Sequence, residues 1–332
     1  MILDTSLLPN KLNDINYFKK VDDGCEIYSY AEKVTTRNEV IVIKLDTQIE
    51  KDFCVDSKAL EMVKALQPAD ITITDKSFII KSTKGKGKFT SRLLSEELFD
   101  LSSNELLREI NVDVDKLVKA SQYVSKNDKK PILTGVRVNS EGNIYSSDSF
   151  KAYFHIPHNL SNDGITIPVA FINLTKTLFN DIKDINIYYN NNILMVENDN
   201  IKLYGRLIEG NYPNMEKIIS NIQYAKEVEV DVEELLDRLN IAQNVGSDED
   251  KKTTICLSQN KIEALGDDNY EAEIKFDNQN EFCAKMQLES LSQALKNVNK
   301  PSLRFLFKDG IGVMAFVLNE EEKEISLVLC AK

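Results

Sequence analysis

The chain has 332 residues, 42% hydrophobic and 28% charged, with a formal net charge of −12. That length exceeds one ordinary core and predicts two or three domains, with enough aliphatic residues to fill them. The acidic balance excludes a surface coated in basic residues for nucleic acid, although a ring can be acidic outside and basic in its channel.

No apolar run reaches membrane-spanning length, and the opening MILDTSLLPNKLNDI lacks the basic start and apolar centre of a signal peptide. A cytoplasmic location is expected. Cys25, Cys54, Cys256, Cys283 and Cys330 are scattered without CxxC spacing, which predicts reduced, mostly buried thiols rather than a disulfide framework or a zinc site.

In chain order, the first 50 residues show the least recognisable pattern. Phe53 to Leu66 predicts a strand and then a helix with apolar residues at three and four spacing. Thr83 to Phe89, with glycines at 85 and 87, predicts a hairpin turn; the GxxxxGK[ST] phosphate-loop spacing is missing and no helix follows. Ile110 to Ala120 predicts an alternating strand running into a helix with an acidic start, and Val228 to Arg238 repeats that pattern. From Lys129 to Tyr153 the chain reads KKPILTGVRVNSEGNIYSSDSFKAY. Ile132, Leu133, Gly135, Val136 and Val138 predict a strand, Glu141 to Asn143 a turn, and the return strand ends in the polar run Ser147 to Lys151.

Ile165 to Leu178 and Phe282 to Leu295 each predict a strand followed by a helix, as Phe53 to Leu66 does. After the middle copy come strands at Asp184 to Tyr189, Ile193 to Glu197 and Ile201 to Ile208, separated by Asn-rich turns. Gly210 to Ile219 predicts an extended, proline-bearing connector. The recurrence gives about six units of strand, helix and strands, roughly 50 to 60 residues each, paired into three similar domains at 1–108, 109–220 and 221–332. One helix per several strands without βαβ alternation predicts an α+β fold with antiparallel sheets.

Catalysis finds little support. His155 and His158 are the only histidines, and no Cys, Asp or Glu lies close on either side to complete a metal site, so solvated or loop-packed rings are expected. Asp248, Glu249 and Asp250 fall in a polar stretch followed by two lysines, which predicts a solvated loop. No nucleophile stands at identifiable spacing from a base. A non-enzyme without cofactor or metal is expected.

The stretch from Lys130 to Val136 resembles the "[RK]P[IV]L.GV" strand of the bacterial DNA polymerase III β sliding clamp family, and Ser147 Asp148 stands where that family continues with "TD.HR". Gly210 to Ile219 is similar to the family's "G.[FY]PD[YT]..[VLI][IL]P". Phe150 and Lys151 replace the family's histidine and arginine. Ser326 to Lys332 stands where the family ends in "YLILPVRL", with Cys330 for proline, Lys332 for arginine and no final leucine.

The resemblance implies three domains of two units each, with sheets outside and helices lining a channel, and two protomers closing head to tail around duplex DNA. Its implied DNA contacts, mainly from helices, are Lys11, Lys19, Lys20, Lys58, Lys64, Lys116, Lys119, Lys126, Lys129, Lys130, Lys176, Arg238 and Lys296. Such contacts go to phosphates and carry no sequence information. The implied partner-peptide pocket takes Leu133, Ser147, Ser149, Phe150, Lys151 and Ala152, with Pro213, Lys217 and Ile218 from the connector. Ile311, Val313, Leu327, Val328, Leu329 and Cys330 complete it, with Gln287 and Ser290 at the rim. The implied dimer contacts are Phe89, Ser91 and Val245. Implied partners are duplex DNA, a replicative polymerase, a clamp loader and a second copy of the chain, with no membrane. The alternatives are a clamp-like interaction module or decoy that closes no ring, and a metal-dependent DNA enzyme, which would need a cluster of acidic residues and histidine.

Overall fold

In the structure, a computed structural model, the described residues are 8, 12–31, 39–85, 87–95, 106, 108–127, 129–159, 161, 163–215, 226–244, 254–258, 261–265, 269–274, 276–277, 283–295, 302–307, 313–319 and 324–329. The chain begins with a meander, β1 (Ile15–Val21), β2 (Gly24–Tyr30) and β3 (Val40–Leu45). Five times thereafter a strand runs straight into a helix and three strands follow. The first such repeat is β4 (Phe53–Asp56), α1 (Ser57–Ala65), β5 (Ala69–Ile73), β6 (Ser77–Ser82) and β7 (Lys88–Arg92). The second is β8 (Arg108–Asp113), α2 (Val114–Ser121), β9 (Gly135–Asn139), β10 (Ile144–Ser147) and β11 (Lys151–His155). The third is β12 (Gly164–Pro168), α3 (Val169–Leu178), β13 (Asp184–Tyr189), β14 (Ile193–Glu197) and β15 (Ile201–Arg206). The fourth is β16 (Lys226–Asp231), α4 (Val232–Ala242), β17 (Thr254–Ser258), β18 (Lys261–Leu265) and β19 (Asn269–Glu273), with the short β20 (Phe276–Asp277) after it. The fifth is β21 (Cys283–Gln287), α5 (Leu288–Leu295), β22 (Ser302–Phe307), β23 (Val313–Asn319) and β24 (Glu324–Leu329).

The strand-to-helix switch has a local cause. Asp56 ends β4 in an extended conformation, and its carboxylate accepts the Ala59 amide at 2.8 Å, which caps α1. Asp231 does the same for α4 through the Glu234 amide at 2.8 Å, and Glu233 and Glu234 add negative charge where the helix dipole favours it. Alternation in the strands then buries one face: Ile110 and Val112 of β8 are buried while Glu109 and Asn111 are exposed.

Two compact units emerge, Met1–Val114 with Ala170–Leu207 and Asp115–Val169 with Ile208–Lys332. The first contains an eight-stranded antiparallel sheet in the order β4-β1-β2-β3-β15-β14-β13-β8, and a three-stranded sheet β5-β6-β7. β3 joins β15 through Val40↔Tyr204 to Ile43↔Ile201, so one sheet continues from strands of the first 50 residues into strands after 180. Its core stacks Phe18 on Phe53 at 4.3 Å between ring centroids and Phe53 on Phe78 at 5.8 Å. The second unit contains a nine-stranded sheet, β12-β9-β10-β11-β24-β23-β22-β16-β20, and a four-stranded sheet, β19-β18-β17-β21. There β11 joins β24 through Lys151↔Val328 to His155↔Glu324. Residues 109–220 contribute strands to both units, because β8 pairs with β13 in one sheet while β12 pairs with β9 in the other.

Some expectations need correction. Pro131–Thr134 is a turn of 3-10 helix and not strand; Pro131 sets the φ of its first residue, and extended structure begins only at Gly135. Gly135 must be glycine on packing grounds, since a Cβ there would stand 2.7 Å from the Ile167 carbonyl oxygen. His155 is buried within β11 rather than loop-packed, while His158 is exposed. Lys19 and Lys20 lie on strand β1 and not on a helix. Residues 248–250 lie outside the described residues.

Candidate functional site

The Ser147–Lys151 tip between β10 and β11 is held by its own side chains. Asp148 Oδ1 accepts the amides of Phe150 and Lys151, each at 2.8 Å, and Ser147 Oγ accepts the Ser149 amide at 3.1 Å while donating to the Lys151 carbonyl at 2.9 Å. Ser149 sits at φ 79°, a left-handed conformation that costs an L-residue about 1–2 kcal/mol. The turn projects Phe150, which is 46% exposed.

Lys151 goes the other way. The residue is 7% exposed, and its ammonium donates to Asp148 Oδ2 at 3.0 Å and to Gln293 Oε1 at 2.8 Å and stands 5.8 Å from the Tyr123 ring centroid. Gln293, on α5, is turned the right way round because its Nε2 donates to Glu289 Oε1 at 2.9 Å. Between the tip, the loop after α2 and α5 lies a cleft of about 940 Å³ whose wall includes Gln122, Ser125, Lys126, Lys129, Phe150 and Glu289. Lys126 and Lys129 are exposed.

At the other end of β11 from the tip Glu324, the first residue of β24, is nearly fully buried at 3% side-chain exposure and is met by Lys116 Nζ at 3.1 Å, by Lys119 Nζ, and by the Tyr153 hydroxyl at 2.8 Å. Burial pushes its carboxyl up, but the hydrogen bonds from Lys119 and Tyr153 and the charge of Lys119 outweigh that and hold it below its ordinary 4.5. Tyr123 is also buried, which raises its hydroxyl to about 12, and it lies 3.3 Å from Ser326 Oγ. A second surface forms where the connector lies on the same sheet: Met215 packs with Tyr145, Ala152, Phe154 and Ile156, and Tyr212 and Ile325 cover that cluster.

The structure therefore brings together several pocket residues expected from the sequence. Lys151 is paired with Val328 and Ala152 with Leu327 across the β11–β24 ladder, and Val313 with Leu329 across β23–β24. Leu133 is buried. Pro213 is exposed beside the Met215 cluster. Gln287 closes β21 opposite Thr254, and Ser290 is buried rather than at the rim, because α5 turns Glu289 and Gln293 toward the cleft instead. Lys217, Ile218, Ile311 and Cys330 lie outside the described residues.

Of the basic set, Lys116 and Lys119 share the single carboxylate of Glu324, which offsets one of their two charges. Lys64 donates to the Leu8 carbonyl at 3.3 Å, and burial lowers its pKa against the opposing pull of Glu61. Lys19 stands over the Tyr28 ring at 5.9 Å, and Lys20 reaches the Glu50 carbonyl at 3.4 Å. Arg238 is 3.9 Å from Glu234 on α4, and Lys176 is in the last turn of α3. Lys58, Lys126, Lys129 and Lys130 are exposed, and Lys11 and Lys296 lie outside the described residues. Phe89 and Ser91 occupy one face of the edge strand β7; Val245 is outside the described residues, but Ile241, 46% exposed near the end of α4, is not. Sequence reasoning missed Tyr123, Glu289, Gln293, Glu324 and Ile241. The Glu289/Gln293 spacing of one helical turn is the one signal that marks a shared face.

The description "DNA polymerase III beta subunit, central domain" matches residues 111–214. A beta sliding clamp of Lactococcus lactis subsp. lactis is 24% identical over 271 residues, covering 74% of this chain and 70% of that protein. That of Streptococcus pneumoniae is 26% identical over 151 residues, 41% of this chain and 40% of the other. The DNA polymerase sliding clamp of Pseudomonas aeruginosa shares the fold with a TM-score of 0.80 over 99% of this chain and 95% of the other, at 13% identity. The sliding clamp of Bacillus subtilis does so at 0.75 and 20% identity, over 96% and 91%. The central match, the curated relatives and the shared fold all point to the bacterial DNA polymerase III beta subunit family.

Proposed function

We propose that this chain is a DNA sliding clamp, a processivity factor that encircles duplex DNA and tethers replication proteins, and that it is not an enzyme. The observation that carries the reading is the fold shared with a sliding clamp over 99% of the chain, built here from five repeats of strand, helix and three strands after a first meander. The exposed lysines Lys58, Lys126, Lys129 and Lys130 would meet phosphates without regard to sequence, which suits sliding. The groove of Phe150, Ala152, Pro213 and the β23–β24 strands would take an apolar peptide of a polymerase, and a loader would open the ring. Such a protein works in the cytoplasm.

Ring closure needs a second copy, and two edge strands support one. β7 turns Lys88, Thr90 and Arg92 outward on one face, and β19 turns Glu271 and Glu273 outward. Laid antiparallel between two copies, Lys88 would stand opposite Glu273 and Thr90 opposite Glu271, while Phe89 would meet Ala272. Light scattering should give the dimer mass at micromolar concentration, and a monomer would remove the ring. The direct test is retention after loading: the clamp should persist on closed circular DNA and slide off linear DNA. Equal retention on both would sink encirclement.

A further inference from the structure

We infer that Lys151 is a positioning residue of the partner groove, which fixes where Phe150 stands and does not itself contact the bound peptide. The inference rests on reading the groove as the partner-peptide site. Three observations carry it. First, the ammonium has three donors and meets three partners on three separate elements: Asp148 in the tip, Gln293 on α5 and the face of Tyr123 after α2. Second, at 7% exposure it has little surface left to offer a ligand, whereas Phe150, the preceding residue, is 46% exposed. Third, the tip needs an outside tether. Ser149 holds a left-handed φ of 79° that a serine adopts at a cost, and such a conformation persists where the surroundings over-determine it. Lys151 is the covalent neighbour of Phe150, and its bond to Gln293 ties the tip to a helix 142 residues away. The bond from Gln293 Nε2 to Glu289 orients the amide so that its oxygen faces Lys151, and the tether is a relay, Glu289 to Gln293 to Lys151 to Asp148.

The geometry separates two roles that a solvent-facing cation would combine. A lysine contacting the peptide would favour acidic peptides, and its contribution would fall with salt; a buried tether acts on every peptide alike. The test is a fluorescence-anisotropy titration of a fluorescein-labelled peptide with leucine and phenylalanine anchors, in a neutral and an acidic version, at low and high salt. Lys151→Met should weaken both versions by the same factor, about tenfold, with the salt dependence unchanged. Lys151→Arg should recover most of the loss. Lys151→Met combined with Gln293→Leu should bind no worse than Lys151→Met alone, because both cut one relay. A loss confined to the acidic peptide, additive losses in the double variant, or wild-type affinity in Lys151→Met would overturn the inference. If Lys151→Met does not fold, Gln293→Leu decides: it should weaken both peptides severalfold, and unchanged binding would overturn the proposal. Wild-type binding separates the two levels. Without it the groove reading falls and takes the tether with it; with it, an unchanged Lys151→Met removes the tether alone.

Discussion

Among the described residues Asn190, Asn198 and Asp148 build the same kind of turn, and the aspartate's turn is the one that lines the candidate cleft. In the first unit Asn190 Oδ1 accepts the amides of Asn192 at 2.9 Å and Ile193 at 2.8 Å, and Asn198 Oδ1 accepts those of Asn200 at 3.0 Å and Ile201 at 2.8 Å. In the second unit Asp148 Oδ1 accepts the amides of Phe150 and Lys151 in the same pattern. The two asparagine turns close β13–β14 and β14–β15, expose polar residues and end there. The aspartate turn has a second carboxylate oxygen, which binds Lys151, and a phenylalanine where the others have asparagine. A backbone turn fixes a shape, and the side chains mounted on it decide whether that shape has chemistry.

The difference can be broken at its base. Glu324→Gln would leave Lys116 and Lys119 without their buried charged partner on the strand pair that carries the aspartate turn, and should cost about 3 kcal/mol in urea unfolding. Since the folded carboxyl titrates below its ordinary 4.5, its contribution is fully present above pH 4.5 and is lost as the pH falls below that value through the folded pKa. Stability of the wild type should therefore drop more steeply than that of Glu324→Gln on acidification below pH 4.5. Equal slopes would show that the lysines do not depend on Glu324.

Asp148→Asn would turn the aspartate turn into a copy of the other two. Its backbone bonds survive, but the Lys151 ion pair does not, and a loss of about 1–2 kcal/mol is expected in the same assay. The control lies in the first unit: Asn198→Ala removes two exposed turn bonds and nothing else, so about 0.5–1 kcal/mol should be lost, with peptide binding untouched. The smallest effect has the opposite sign. Ser149→Gly relieves the left-handed residue and should raise the urea midpoint by about 0.5 kcal/mol in stability, the relief being partly offset by the freer unfolded chain.

The repeat and its strands were legible because alternation and three-and-four spacing are local: Asp184 to Tyr189 and Ile193 to Glu197 were read to the residue. Pro131 to Thr134 misled for an equally local reason, since an apolar run of that length fits strand or helix alike until its packing is known. The strands around the candidate site were legible in part because they carry the family's motifs around Lys130 to Val136 and Ser147 to Asp148.

The sequence by itself determined most of the strand-to-helix repeat from Phe53 onward and carried the motifs that point to the family, since each of these depends on neighbours a few residues apart. Only the tertiary structure decided which charges meet. Lys116 and Lys119 read as a basic helix face until β11 paired with β24 and set Glu324, some two hundred residues away, against them. Lys151 read as a pocket residue in place of the family's arginine, and only the placement of α5 sets Gln293 against it. A lone lysine carries no mark of its partner, because the partner is chosen by sheet register and helix placement, which are sums over the whole chain.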